Sequence, residues 1–80
     1  MIYFATSRQG YDQITGMSAW PPTALWTALG VLELSELEEL RAAGIAVTSF
    51  SSQTSLADAL DVIREHHPGQ EVLVDGYSAG

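Results

Sequence analysis

The sequence contains no cysteine and no lysine. The first absence removes disulfide scaffolds, thiolate zinc sites, iron–sulfur clusters and thiol nucleophiles together. The second removes Schiff-base chemistry and the phosphate-binding lysine of a P-loop. Positive charge is scarce altogether: Lys and Arg total 3 against 10 Asp and Glu, for a formal net charge of -7. No apolar run approaches the roughly 20 residues of a membrane helix, so no membrane partner is expected. Dinucleotide-binding, Walker, nucleophile-elbow and zincin patterns are all missing, and neither a cofactor nor a metal is expected. The amino terminus lacks the basic start and cleavage site of a secretory signal, so the expected location is the cytoplasm.

What is present is apolar enough to fold. Hydrophobic residues make up 46% of the 80, too many for a disordered acidic tail, and the length predicts a single domain over residues 1–80. A chain of this size buries only about 60% of its unfolded surface, which leaves little to support buried charge or a deep pocket.

Ile2–Thr6 is β-branched and aromatic without alternation, as in a strand covered on both faces. Ser7–Trp20 then loses periodicity around Gly10 and Gly16 and reads as an irregular loop of functional length. Pro21-Pro22 stops any strand, and a short helix over Thr23–Leu29 closed by Gly30 follows. Ser35-Glu36-Leu37-Glu38 has a capping-box pattern ahead of a Leu34, Leu37 and Leu40 stripe, with Gly44 as its left-handed stop. Ile45–Phe50 reads as a second strand. Ser55 caps a further helix with Leu56, Leu60 and Ile63 as its buried stripe, ended by Pro68-Gly69. Glu71–Asp75 is a third strand. Alternating strands and helices predict an α/β fold: a small three-stranded, mainly parallel sheet in the order 2-1-3 with two or three helices, half of a doubly wound fold.

The acidic residues form rows. At 100° per residue, Asp58, Asp61 and Glu65 fall within about 60° of one another, opposite Leu56, Leu60 and Ile63. Glu38 and Glu39 point away from the leucine stripe, with Glu36 on its flank. Any amphipathic helix needs a solvated face, but such faces commonly interleave both signs and these do not. Arg41 and Arg64 sit near helix C-termini, where the dipole accounts for them. Such a surface repels nucleic acid and attracts proteins whose basic grooves bind it. Arg8, Tyr11, Trp20 and Trp26 cluster around the irregular segment and are residue types enriched at protein–protein hot spots, while Trp26, sharing its expected helix with Leu25 and Leu29, also reads as a cap on the core. Arg8 is the one cation that the predicted elements give no structural task.

In open α/β sheets ligands bind beyond the carboxyl ends of the strands. Those ends carry Thr6-Ser7-Arg8, Ser51-Ser52-Gln53 and Asp75-Gly76-Tyr77-Ser78, and Ser7, Ser52 and Asp75 can hold a phosphate or sugar there. The same residue types also make ordinary turns. His66 and His67 are adjacent and diverge by about 100° on a helix, so they make no two-ligand face.

Ile2-Tyr3-Phe4-Ala5 and Leu40-Arg41-Ala42-Ala43-Gly44-Ile45 resemble the opening strand and the helix-to-strand junction of nucleoside deoxyribosyltransferase-like domains. That family's catalytic glutamate region has no counterpart here, so the resemblance implies topology and not activity. In size, acidity and missing catalytic motifs the chain resembles small phage-encoded inhibitors such as anti-CRISPR proteins, which would place it in a host cytoplasm.

Together these features lead to an expected non-catalytic, acidic protein-binding module. Its expected role is as an inhibitor acting by nucleic-acid mimicry or steric exclusion on a protein with a basic nucleic-acid-binding groove. The expected contact residues are Glu36, Glu38, Glu39, Asp58, Asp61, Glu65, Arg8, Tyr11 and Trp20. No direct nucleic-acid contact is expected, and the chain is expected to be a monomer or weak homodimer. The alternative is a minimal nucleotide- or phosphosugar-binding domain that uses the strand ends.

Overall fold

A computed structural model describes residues 1–17, 20 and 22–78 of the chain. Strand β1 (Ile2–Ala5) leads into helix α1 (Arg8–Thr15) and strand β2 (Ala24–Thr27). Helix α2 (Leu34–Ala42), β3 (Val47–Ser49), α3 (Leu56–His66), β4 (Val72–Val74) and β5 (Tyr77–Ser78) follow. The sheet runs β3-β2-β1-β4-β5, its first four strands parallel and β5 antiparallel to β4.

Alternation along each strand divides the core into two layers. Tyr3, Ala5, Leu25, Val47 and Leu73 face α1 and α2, whose Ile14 and Leu37 pack on them. Ile2, Phe4, Ala24, Trp26 and Val72 face α3, which contributes Ala59 and Ile63. β1 and β2 are buried along their whole length, as central parallel strands must be. The order reverses between β1 and β4, since the chain first builds outward from β1 through β2 to β3 and then returns to β1's other side.

The α/β class, the parallel pairing and all three expected strands are present, but the sheet is larger than the order 2-1-3 allows. Residues expected as a helix over Thr23–Leu29 form β2, which inserts between β3 and β1. A short apolar run buried on both faces carries no period, so Ala24-Leu25-Trp26-Thr27 does not distinguish helix from strand by pattern. Tertiary pairing decides it: Leu25 N–H donates to Ala46 O at 2.8 Å and Ala28 N–H to Ala5 O at 2.9 Å.

The expected loop over Ser7–Trp20 holds helix α1. Ser7 is its N-cap and accepts the Gly10 N–H at 3.1 Å. Only Ile14 and Gly10 of this helix are buried, too thin a stripe to show as periodicity. Ser18 and Ala19 of that segment, and Pro21, lie outside the described residues.

Both remaining helices keep their places with shifted details. α2 starts at Leu34 with Glu33 as N-cap, where Glu36 Oε1 accepts the Glu33 N–H at 3.2 Å. The cap expected at Ser35 therefore sits two residues earlier, and Leu34 is exposed while Leu37 is buried. In α3 Ser55 caps as expected, accepting the Asp58 N–H at 3.2 Å, but Leu56 is exposed and Ala59 takes its place in the buried stripe. Gly44 takes the expected left-handed conformation at φ +86 after α2. Asp75-Gly76, expected at the end of the third strand, forms the turn of the β4–β5 hairpin. Both residues have positive φ, 51 and 93, as a two-residue primed turn requires.

Gly10 sits inside α1, where glycine is normally unfavourable by about 1 kcal/mol. Its reason is steric. A Cβ at this position would lie 1.9 Å from Asp75 Oδ1 and 2.4 Å from its Cγ. Gly10→Ala is therefore expected to destabilise the fold by about 1–3 kcal/mol, the usual range for overpacking. In an Asp75→Ala background the carboxylate clash is gone and only the Cβ of residue 75, 3.0 Å away, still crowds the new methyl, so the same change is expected to cost less than in the original chain. Urea denaturation of the four proteins in the cycle measures the difference.

Candidate functional site

Thr6, Ser7 and Arg8 follow β1, Ala28 and Leu29 follow β2, residues 50–54 follow β3, and Asp75 follows β4. These ends gather along the C-terminal edge of the parallel sheet. There a cleft of about 130 Å³ opens between β1, β2 and β3 on the face that carries α3. Phe4 and Phe50, edge to face with centroids 5.8 Å apart, form its floor with Leu29 beside them. Thr6, Ser52, Gln53 and Thr54 supply its polar rim. Phe4 and Thr6 share this face because they are two residues apart around the end of β1. None of the residues lining the cleft is charged.

Of the three strand-end residues expected to hold a ligand, Ser52 lines the cleft. Ser7 is engaged as the α1 cap. The carboxylate of Asp75 reaches across the β4–β1 join: Oδ1 accepts the Thr6 N–H at 2.8 Å and Oδ2 accepts the Thr6 hydroxyl. Asp75 thus stands behind the rim, one hydrogen bond from the cleft. The aromatic floor was not legible in advance, since it depends on which face Phe4 and Phe50 take. Their spacing from Thr6 and Ser52, two residues in each case, was the available signal.

Of the expected cluster, Arg8, Tyr11 and Trp20 come together on the layer opposite the cleft, in contacts within the chain, whereas Trp26 lies apart from them in the α3 layer. Arg8 Nη1 donates to both carboxylate oxygens of Glu36, at 2.6 and 2.8 Å, tying α1 to α2. Its Nε lies 3.6 Å from Asp12 Oδ1, and the guanidinium stands 5.3 Å from the Tyr11 ring centroid. Tyr11 meets Trp20 edge to face at 6.3 Å, and Trp20 stacks on Tyr3 at 6.4 Å. Arg8 therefore has a structural task after all. Its hydrogen bond holds the Glu36 carboxyl below the ordinary carboxylate range, helped by the Glu33 N–H. The same bond to Glu36 raises the Arg8 guanidinium, and burial raises the Tyr11 phenol.

The remaining carboxylates are separated by the sheet. Glu38 and Glu39 are exposed on α2, on one side, and Asp58, Asp61 and Glu65 are exposed on α3, on the other. One flat surface therefore does not contain both sets. Arg41 is occupied as well, donating from Nη2 to Val47 O at 3.1 Å. His67 accepts the Trp26 indole N–H at Nε2, 3.2 Å away, and His66 Nδ1 lies 2.9 Å from Val62 O, so both serve local structure. Among the described residues no group of three or more His, Cys, Asp or Glu is placed to hold a metal ion. No described helix is long and apolar enough to cross a membrane.

No protein family, curated protein or solved structure matches the chain.

The Glu36–Arg8 pair gives an acid dependence with a definite sign. A carboxyl held low in the folded chain contributes stability above its unfolded value and loses it as pH falls through the folded value. The pair is open to solvent, with 53% of the Arg8 side chain and 27% of the Glu36 side chain exposed, so salt weakens the effect. Arg8→Met is expected to return Glu36 toward the ordinary range and to make the fall of melting temperature in acid shallower. Melts from neutral pH to about pH 3 at low and high salt, with carboxyl NMR on Glu36, measure it.

Proposed function

We propose that the chain is a small, non-catalytic ligand-binding α/β domain that takes a molecule of the nucleotide or phosphosugar class at the C-terminal ends of its strands. The observation that carries this is the cleft over Phe4 and Phe50 with its rim of Thr6, Ser52, Gln53 and Thr54. It lies beyond the carboxyl ends of β1, β2 and β3, beside the β1–β4 reversal, and it sets a mostly polar rim of hydroxyl and amide groups over two aromatic rings. Sugar rings have this dual character, with apolar C–H faces and polar edges. The N-terminus of α3, directly after the rim, adds a favourable partial charge for any acceptor group on the ligand's outer part.

Titration with ribose 5-phosphate, followed by amide NMR, tests this. Shifts are expected at Thr6, Ser52, Gln53 and Thr54, and Phe50→Ala is expected to weaken them. A spectrum unmoved at millimolar ligand, or shifts confined to the α1–α2 layer, would overturn the reading.

A second reading is favoured by the outer side of α3. Asp58, Asp61 and Glu65 are exposed there, and none makes an ion pair among the described residues. This face suits a protein with a basic nucleic-acid-binding groove, which the chain would block in the manner of an anti-CRISPR protein. Such binding is expected to weaken with salt. Joint replacement of Asp58, Asp61 and Glu65 by Lys is expected to abolish it while the chain stays folded, with a small loss of melting temperature from the cation placed in the first turn of α3. Retained capture of the same partner by the triple variant would exclude this face.

A further inference from the structure

We infer that the cleft selects a ligand by a hydrogen-bond donor, a sugar-type hydroxyl presented to Thr6, and rejects phosphate at that position. This inference rests on the small-ligand reading of the cleft and specifies which part of the ligand enters it.

A threonine hydroxyl has one proton to give and two lone pairs to offer, whereas a carboxylate only accepts. The Thr6 hydroxyl donates to Asp75 Oδ2, so its single proton is committed behind the rim. Thr6 lines the cleft, and wherever its hydroxyl meets a ligand there it can offer lone pairs alone. The usual ambiguity of a hydroxyl is removed by its neighbour, and Thr6 acts as an acceptor.

Asp75 is held so that this arrangement persists. Its Oδ1 accepts the Thr6 N–H at 2.8 Å, and its own N–H donates to Phe4 O at 2.9 Å. Its backbone is fixed in the left-handed region by the hairpin turn, and its carboxylate lies against Gly10, where even a methyl group would collide with it. The carboxylate therefore has little freedom to turn away and release the proton.

A phosphate or carboxylate oxygen at Thr6 would set lone pair against lone pair, with the Asp75 charge one bond behind. The cleft lining offers no cation to offset that repulsion. A hydroxyl donor meets an acceptor sharpened by that charge. Thr6 stands at the exposed rim, so the preference is the worth of one hydrogen bond made against one refused. The volume of about 130 Å³ corresponds to roughly four waters at about 30 Å³ each, room for the hydroxylated edge of a sugar with the rest of the molecule outside.

The test reverses the polarity of one atom. In Asp75→Asn the amide oxygen still accepts the Thr6 N–H, while its NH₂ takes the place of Oδ2 and donates to the Thr6 hydroxyl. The Thr6 proton is then released toward the cleft. The probes are D-xylose and inorganic phosphate, each titrated while the amides of Ser52, Gln53 and Thr54 are followed by NMR. The original chain is expected to respond to D-xylose and not to phosphate. Asp75→Asn is expected to lose about two- to tenfold in D-xylose affinity, the worth of one neutral hydrogen bond, and to gain a phosphate response. Thr6→Ser, which keeps the hydroxyl, is expected to retain the original preference, and Thr6→Val to lose the D-xylose response. These two variants keep the question open to measurement should Asp75→Asn fail to fold.

If ribose 5-phosphate moves the cleft amides but the xylose-to-phosphate preference is the same in the original chain, Asp75→Asn and Thr6→Val, the donor inference is wrong and the cleft remains a site. If no probe moves those amides, both fall together.

Discussion

The carboxylate of Asp75 joins the two halves of the sheet at the place where its order reverses. β1 pairs with β2 on one side and with β4 on the other, and β4 arrives from the far end of the chain. At their C-terminal ends the two strands are tied by Asp75 through the Thr6 amide and hydroxyl. That single contact explains three otherwise separate features. Gly10 is needed where a helix would prefer alanine, the hairpin turn places a non-glycine residue at positive φ, and one rim hydroxyl of the cleft has its proton assigned.

The sequence carried the three expected strands and two of the three helices because each of those elements bears a local signature. Ser55 and Gly44 are chemical punctuation that works residue by residue. β2 lacked any such signature. Its four residues are buried on both faces, so neither a period of two nor one of 3.6 is written in them. α1 was hidden for the opposite reason. Its exposed polar residues and Gly10 look like a loop until the close approach of Asp75 supplies the reason for the glycine. The order 2-1-3 followed from missing β2, since a strand that is not recognised cannot be inserted.

The site was legible in its chemistry and not in its assembly. Thr6, Ser52, Gln53 and Asp75 stand out as polar residues at strand ends. Which of them face one cleft depends on the parity of each strand, and parity places Phe4 and Thr6 together on the α3 side. Composition alone misjudged the acidic residues in one respect. Counting charge treats Glu36 like Glu38 and Glu39, yet the Arg8 guanidinium occupies both its oxygens. The sheet lies between α2 and α3, so the excess of negative charge is spread over two sides and is not concentrated on one.

The two tryptophans fall in different layers. Trp20 stacks on Tyr3 beside Tyr11 in the layer of α1 and α2, while Trp26 sits among Phe50, His66 and His67 under α3. Each half of the molecule therefore contains one intrinsic fluorophore in a distinct chemical setting, one beside tyrosines and the other with its indole N–H bonded to an imidazole. Replacing either by phenylalanine leaves a chain whose emission reports on one half alone. Whether the two sides of the sheet melt as one cooperative unit or in succession is thus written into the molecule's own fluorescence, with no added label.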